Sequence, residues 1–159
     1  MKSLKALLPL ILLFTSSIAF TQVYVMDGTP ITTCSGTIFD SGGSDNDYGP
    51  NENIITTICP DFSSGTHIQI SFNPTSISPS DDLCFYDGTD TNADLLVCAS
   101  GFFGGAFIVQ ATAANVSGCL TLEFVSDADT QNAGFAGIIE CTPACQPIIA
   151  VLDNTNPAV

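Results

Sequence analysis

The stretch His67-Ile68-Gln69-Ile70-Ser71-Phe72 alternates between polar and apolar residues along its whole length. A period of two places the apolar side chains on one face of a β-strand, so the stretch predicts a strand with one buried face. Similar apolar or β-branched runs recur through the chain, separated by clusters of turn-forming residues. The runs cover residues 23–26, 31–39, 54–58, 67–72, 83–86, 95–98, 107–109, 120–125 and 135–140.

The number and spacing of these runs predict the fold class. Many short strands at regular intervals are typical of an antiparallel two-sheet β-sandwich, and we place this domain at residues 23–141. No segment shows a sustained apolar period of 3.6 residues, so very little helix is expected.

The first twenty residues have the pattern of an export signal. Lys2 and Lys5 precede an apolar run at residues 6–14, and Ser17-Ile18-Ala19 has the small-x-small form that signal peptidase accepts. We therefore expect a signal peptide at residues 1–19, with cleavage between 19 and 22, and a secreted or cell-surface protein. Residues 142–159 are interpreted as a linker and the truncated start of a further module.

Charge excludes two classes of partner. The chain has two Lys, no Arg and sixteen carboxylates, for a formal net charge of −14. Removal of the signal removes both lysines, which leaves about −16. Such a surface repels phosphate backbones and anionic lipid, so neither nucleic-acid binding nor membrane insertion is expected.

Seven cysteines in an exported chain predict disulfides. In a hairpin, residues equidistant from the turn lie opposite each other, which favours pairs centred on the loops 40–53, 87–94 and 126–134. The predicted pairs are Cys34–Cys59, Cys84–Cys98 and Cys119–Cys141. A Cys34–Cys141 bridge between the first and last strands is the main alternative. Cys145 is left unpaired, with a partner expected beyond Val159.

The sequence contains no set of residues that predicts catalysis. Asp40-Ser41-Gly42-Gly43 invites comparison with a serine-protease nucleophile loop, but His67 is the only histidine and follows the serine. We therefore expect no enzyme activity. Carboxylates cluster in the loops, where oxygen ligands without soft donors favour calcium over zinc or copper.

Several of the runs resemble the CUB domain, and the resemblance covers roughly residues 34–141. The two most specific matches are a strand that ends in Tyr86-Asp87-Gly88 and the L-x-x-x-F-x-S-D pattern that begins at Leu120. The C-S-G-T-I-F-D-S-G-G start is similar to CUB-type modules of Bacteroidetes surface and secreted proteins. The other matches are 36–39, Tyr48 with Asn51 or Asn53, 68–72 and Gly134-Phe135.

The resemblance implies a jelly-roll sandwich used for protein or carbohydrate recognition, often with calcium bound at one end. By position, Asp81 and Asp127 match two of the family's calcium ligands. The position of the family's third ligand, a glutamate, falls near Ser78. The resemblance therefore implies a calcium site at Asp81 and Asp127, and Asp82 and Asp129 are the candidates to replace the missing glutamate.

The functional hypothesis is a non-catalytic binding or adhesion module whose partner is an extracellular protein or glycan, with calcium as its candidate cofactor. Two alternatives are left open by the sequence. The domain would also serve as the N-terminal ancillary domain of a larger secreted hydrolase such as a protease, or as a structural spacer in a surface filament.

Overall fold

A computed structural model describes residues 22–73, 75–101 and 105–144, and these residues form ten β-strands and no helix. The described residues contain no helix that is long and apolar enough to cross a membrane. The predicted signal at 1–19, Cys145 and most of the predicted linker lie outside the described residues. The strands are β1 Val23–Val25, β2 Ile31–Thr32, β3 Ser35–Phe39, β4 Asn53–Cys59, β5 His67–Phe72, β6 Asp82–Tyr86, β7 Leu95–Ser100, β8 Phe107–Gln110, β9 Leu120–Val125 and β10 Ala136–Thr142.

The strands form two five-stranded sheets that pack as a sandwich. Sheet A has the order β1-β3-β10-β5-β8, and sheet B has the order β2-β4-β9-β6-β7. All pairs are antiparallel except β1 with β3 and β2 with β4, which are parallel and lie at one edge of each sheet. The predicted two-sheet β-sandwich is therefore confirmed.

The core lies between the inner faces of the sheets. In β5 the predicted alternation holds, since Ile68, Ile70 and Phe72 are buried. Phe72 stacks on Phe107 with ring centroids 4.8 Å apart and meets Phe85 of the other sheet edge-on at 5.3 Å. Aromatic contacts of this kind stabilise a core beyond the burial of their apolar area.

The run 31–39 was expected to form one strand, and the structure divides it. β2 pairs with β4 in sheet B, whereas β3 pairs with β10 in sheet A. The chain therefore crosses between the sheets at Thr33 and Cys34. The Thr33 hydroxyl stabilises this crossing by donating to the carbonyl of Ser35 at 2.8 Å.

Two of the three predicted disulfides are wrong. Cys34 is bonded to Cys141 and Cys59 to Cys119, so neither Cys34–Cys59 nor Cys119–Cys141 forms. The prediction assumed hairpins, but the loops 40–53 and 126–134 each connect a strand of one sheet to a strand of the other. Residues equidistant from such a loop lie on opposite sides of the sandwich. The Cys34–Cys141 alternative is the pair observed.

The third predicted pair, Cys84–Cys98, is confirmed. Here the intervening loop does join two paired strands, β6 and β7, and the two cysteines face each other directly in the register. The loop-centre argument holds at this loop because its flanking strands belong to the same sheet.

Candidate functional site

Two segments that carry predicted ligands meet at one end of sheet B. β6 and β9 are antiparallel neighbours, with Asp82 opposite Val125. Asp81 comes immediately before β6, and Asp127 follows β9 by two residues. The register alone therefore brings these two aspartates to the same end of the sheet.

Asp81 is fully buried at the centre of this end. Its Oδ1 accepts a hydrogen bond from the backbone N–H of Asp127 at 2.8 Å, and its Oδ2 accepts one from the Tyr48 hydroxyl at 2.6 Å. Both oxygens act only as acceptors, as those of an ionised carboxylate do. We call Tyr48, Ser78, Asp81 and Asp127 the Asp81 cluster.

The Tyr48 phenol completes the cluster from the loop between β3 and β4. Its hydroxyl oxygen also accepts a hydrogen bond from the backbone N–H of Ser78 at 2.9 Å. Burial raises the pKa of Tyr48 to about 12, and its hydrogen bond to Asp81 contributes further to this rise. The phenol therefore stays protonated and acts as a fixed donor to Asp81.

The Tyr48 loop is anchored to the end of β9 by Ser126. The backbone N–H of Glu52 donates to the Ser126 hydroxyl at 2.9 Å, and this hydroxyl donates to the carbonyl of Gly49 at 2.7 Å. The backbone N–H of Asn51 donates to the carbonyl of Asp127 at 2.8 Å. These bonds hold the loop that carries Tyr48 next to Asp127.

The remaining predicted ligands are placed differently. Asp82 is exposed on the outer face of sheet B, because consecutive strand residues point to opposite faces and Leu83 is buried. Asp129 is exposed, and its backbone N–H donates to the Asp127 carboxylate at 2.7 Å. The Ser78 hydroxyl is 3.1 Å from that of Ser80. The structure therefore joins Asp81 with Asp127 and leaves Asp82 on the outer face.

A second buried carboxylate, Asp40, lies at the end of β3. It accepts hydrogen bonds from the backbone N–H groups of Gly42 and Phe135, each at 2.8 Å. Burial raises the pKa of Asp40. This carboxylate fixes the segment before β10, where Gly134 has a φ of 66° and packs directly against it.

The Ser41 hydroxyl and the only histidine do not come together. Ser41 follows β3 and donates to Glu52 at 2.6 Å, whereas His67 begins β5 at the opposite end of sheet A. The strands between these positions are five to seven residues long, which separates the two groups by roughly 20 Å. Ser41 and His67 therefore do not form a Ser–His pair.

The donor chemistry of the Asp81 cluster is in part that of a calcium site. Its donors are carboxylate, hydroxyl and backbone oxygens, which are the ligands that calcium takes. Among the described residues, however, no group of three or more His, Cys, Asp or Glu side chains is arranged to hold a metal ion. The donors fit calcium in kind, but Asp127 contacts Asp81 through its backbone N–H, and the Asp127 carboxylate accepts from the backbone N–H of Asp129.

The sandwich is similar to solved structures of other proteins. The crystal structure of the MASP-1 CUB2 domain bound to Ca²⁺ matches with a TM-score of 0.56 and 17% identity, over 72% of this chain and 98% of that one. The fold is that of a CUB domain.

A second match is with the full extracellular region of zebrafish Gpr126/Adgrg6. It has a TM-score of 0.51 and 15% identity, and it covers 71% of this chain but only 14% of that much longer one. No family model and no curated protein matches the sequence. At these identities the structural match shows the CUB fold alone.

Tyr48 is the residue of the cluster that sequence reasoning did not assign to the site. It lies 33 positions before Asp81, and no local spacing connects the two. It was noted only as one of the residues that resemble a CUB domain. That resemblance was the signal that could have placed it beside Asp81.

Proposed function

We propose that this chain is a non-catalytic extracellular binding module, and that its ligand contacts the end of the sandwich that carries the Asp81 cluster. The observation that carries the proposal is the buried Asp81 carboxylate, which orders three separate segments at one end. Such a cluster gives the surrounding loops a fixed shape, and binding residues are commonly found on loops held by a rigid scaffold.

Calcium binding by Asp81 and Asp127 is part of this proposal. The neutral donors to Asp81 leave its charge without a cationic partner, and the described residues contain no Lys or Arg. Calcium would neutralise this charge and link the turn before β6 to the segment after β9. With two carboxylates and water as further ligands, we expect a Kd of about 10⁻⁴–10⁻³ M, as in other extracellular modules.

Charge supports a cationic partner. Fifteen of the sixteen carboxylates lie within the described segments, with only Asp153 outside them. A field of one sign attracts ligands of the opposite charge, and its effect declines as salt screens it. We therefore propose a basic segment of an extracellular protein, or a glycan bridged by calcium, as the ligand.

The test of the calcium proposal is a thermal melt of the exported chain in 10 mM CaCl₂, compared with the same buffer containing a chelator. For a Kd of about 1 mM the unfolding free energy should rise by about 1.4 kcal/mol, which raises Tm by about 3–6 °C. Isothermal titration calorimetry should give a matching Kd.

Two variants distinguish a site from a general charge effect. Asp127→Asn keeps the backbone N–H that donates to Asp81 but removes one carboxylate, so the calcium-induced shift should disappear. Asp90→Asn removes one carboxylate from the loop at the other end of β6, so the shift should be retained. Equal shifts in both variants, or no shift in the unmodified chain, would contradict the proposed site.

The binding function is tested separately, since it does not require calcium. Basic peptides and neutral glycans are titrated against the unmodified chain at about 20 mM and at 500 mM salt. We expect basic ligands to bind at low salt with an affinity that falls as the salt concentration rises. Asp127→Asn should reduce this affinity more than Asp90→Asn does. Binding that is insensitive to both variants would place the ligand elsewhere on the molecule.

A further inference from the structure

The Cys84–Cys98 disulfide lies on the outer face of sheet B. Cys98 is exposed and Cys84 is half-buried, and they are direct partners in the register of β6 and β7. Each of the other disulfides includes a buried cysteine, since Cys34 is 6% exposed and Cys119 is 4% exposed. A thiol can therefore reach Cys98 most readily.

The same disulfide connects the edge strand β7 to its neighbour β6. β7 pairs only with β6, whereas Cys34–Cys141 and Cys59–Cys119 each connect an interior strand, β10 or β4, to the residue directly before another interior strand, β3 or β9. Ala99 is the one fully buried residue of β7, and Leu95 and Val97 are 55% and 40% exposed. Because β7 buries so little, its detachment would leave most of the core intact.

We propose that Cys84–Cys98 is a thiol–disulfide exchange site that reacts with extracellular thiols in the folded protein, and that its reduction releases β7. A thiolate attacks Cys98 Sγ and forms a mixed disulfide, while Cys84 leaves as a thiolate and takes a proton from water. A second thiolate then attacks the sulfur of the bound reagent. Cys98 is released as a thiol, and the two reagent molecules, which supply the two electrons, leave as their disulfide.

The surroundings of the disulfide select the charge of the reagent. Glu123 of β9 is the register partner of Cys84 on its other side, and Asp82 lies two residues before Cys84 on the same outer face. No Lys or Arg occurs among the described residues to balance these carboxylates. A cationic thiol should therefore react faster than an anionic thiol of the same size.

The test measures which cysteines become reactive. The exported chain is treated with cysteamine, a cation, or with 2-mercaptoethanesulfonate, an anion. Newly formed thiols are alkylated and located by mass spectrometry, and each rate is normalised to that on a neutral model disulfide. Cys145→Ser is treated in parallel, so that this seventh cysteine cannot supply a thiol.

We expect Cys84 and Cys98 to be labelled at least about tenfold faster than the cysteines of the other two disulfides, which become accessible only through larger openings. Cysteamine should react faster than 2-mercaptoethanesulfonate at low salt, and the ratio of the two normalised rates should decrease at 1 M salt and in Glu123→Gln. Simultaneous labelling of all three disulfides, or earlier labelling of Cys34 and Cys141, would overturn the proposal.

Release of β7 is measured by hydrogen exchange on the selectively reduced protein and on the Cys84→Ser/Cys98→Ser variant. Amides of β7 should lose protection in both, while those of β4 and β9 keep theirs. Full protection of β7 after reduction would refute its release. Loss of protection throughout the variant would also refute it, because the disulfide would then stabilise the whole sandwich.

Discussion

Tyr48→Phe isolates the contribution of one hydroxyl to the Asp81 cluster. The substitution keeps the ring, whose centroid lies 4.9 Å from that of Phe124, and removes only the oxygen. That oxygen donates to Asp81 and accepts from the backbone N–H of Ser78. Both partners are buried, so neither regains a hydrogen bond from water when the oxygen is lost.

The expected loss of stability follows from these two contacts. A hydrogen bond to a charged group contributes about 1.5–3 kcal/mol, and a buried donor left unpaired costs about 1–3 kcal/mol. Because the two effects share one oxygen and are not independent, we expect a combined loss of about 2–4 kcal/mol. This corresponds to a decrease in Tm of roughly 10 °C.

The assay is urea unfolding followed by circular dichroism, with Tyr86→Phe as the matched control. The Tyr86 hydroxyl also donates to a carboxylate, that of Glu123 at 2.7 Å, but on the outer face of sheet B, so its removal should cost about 0.5–1 kcal/mol. An equal loss in both variants, with unchanged m-values, would show that burial of Asp81 does not strengthen its bond to Tyr48.

Two further predictions concern Asp40. In Gly134→Ala the new methyl group would overlap the Asp40 carboxylate, and the residue has a positive φ, so the unfolding free energy should fall by more than about 2 kcal/mol. In the control Gly105→Ala a methyl group meets open space, so the unfolding free energy should fall by less than about 0.5 kcal/mol. Comparable urea midpoints for the two variants would contradict this reasoning. Burial raises the pKa of Asp40 above 3.8, so the folded state binds the proton of this carboxyl more tightly than the unfolded state does. The stability that this group contributes is therefore greatest at low pH and is lost as the pH rises through the raised pKa. Unfolding of Asp40→Asn between pH 3 and 7 should lack this part of the decline, and an unchanged pH profile would exclude Asp40 as its source.

The strands were predictable from the sequence because their information is local. Alternation at 67–72 specifies which side chains of β5 face the core, whatever strand lies beside it. Strand pairing is not local. The loops 40–53 and 126–134 have the composition of hairpin loops, yet each crosses between the sheets. Two disulfide predictions were wrong for this reason.

The candidate site was also predictable only in part from the sequence. Asp81 and Asp127 were placed together through the resemblance to CUB domains, and the β6–β9 register explains why they meet. The outward direction of Asp82 was available from alternation alone, since Leu83 and Phe85 had to face the core. The contact of Tyr48 with Asp81 depends on the conformation of the loop at residues 40–52 between β3 and β4, which no periodicity encodes.

The two proposals meet at the turn that contains Ser78. Its backbone N–H donates to Tyr48 in the Asp81 cluster, and its carbonyl accepts from the backbone N–H of Gly101, directly after β7, at 3.3 Å. Release of β7 would remove the second of these bonds and loosen the turn that positions Asp81. If both proposals hold, the selectively reduced protein should bind calcium more weakly than the oxidised protein. An unchanged affinity would show that Tyr48 and Asp127 position Asp81 without help from the edge strand.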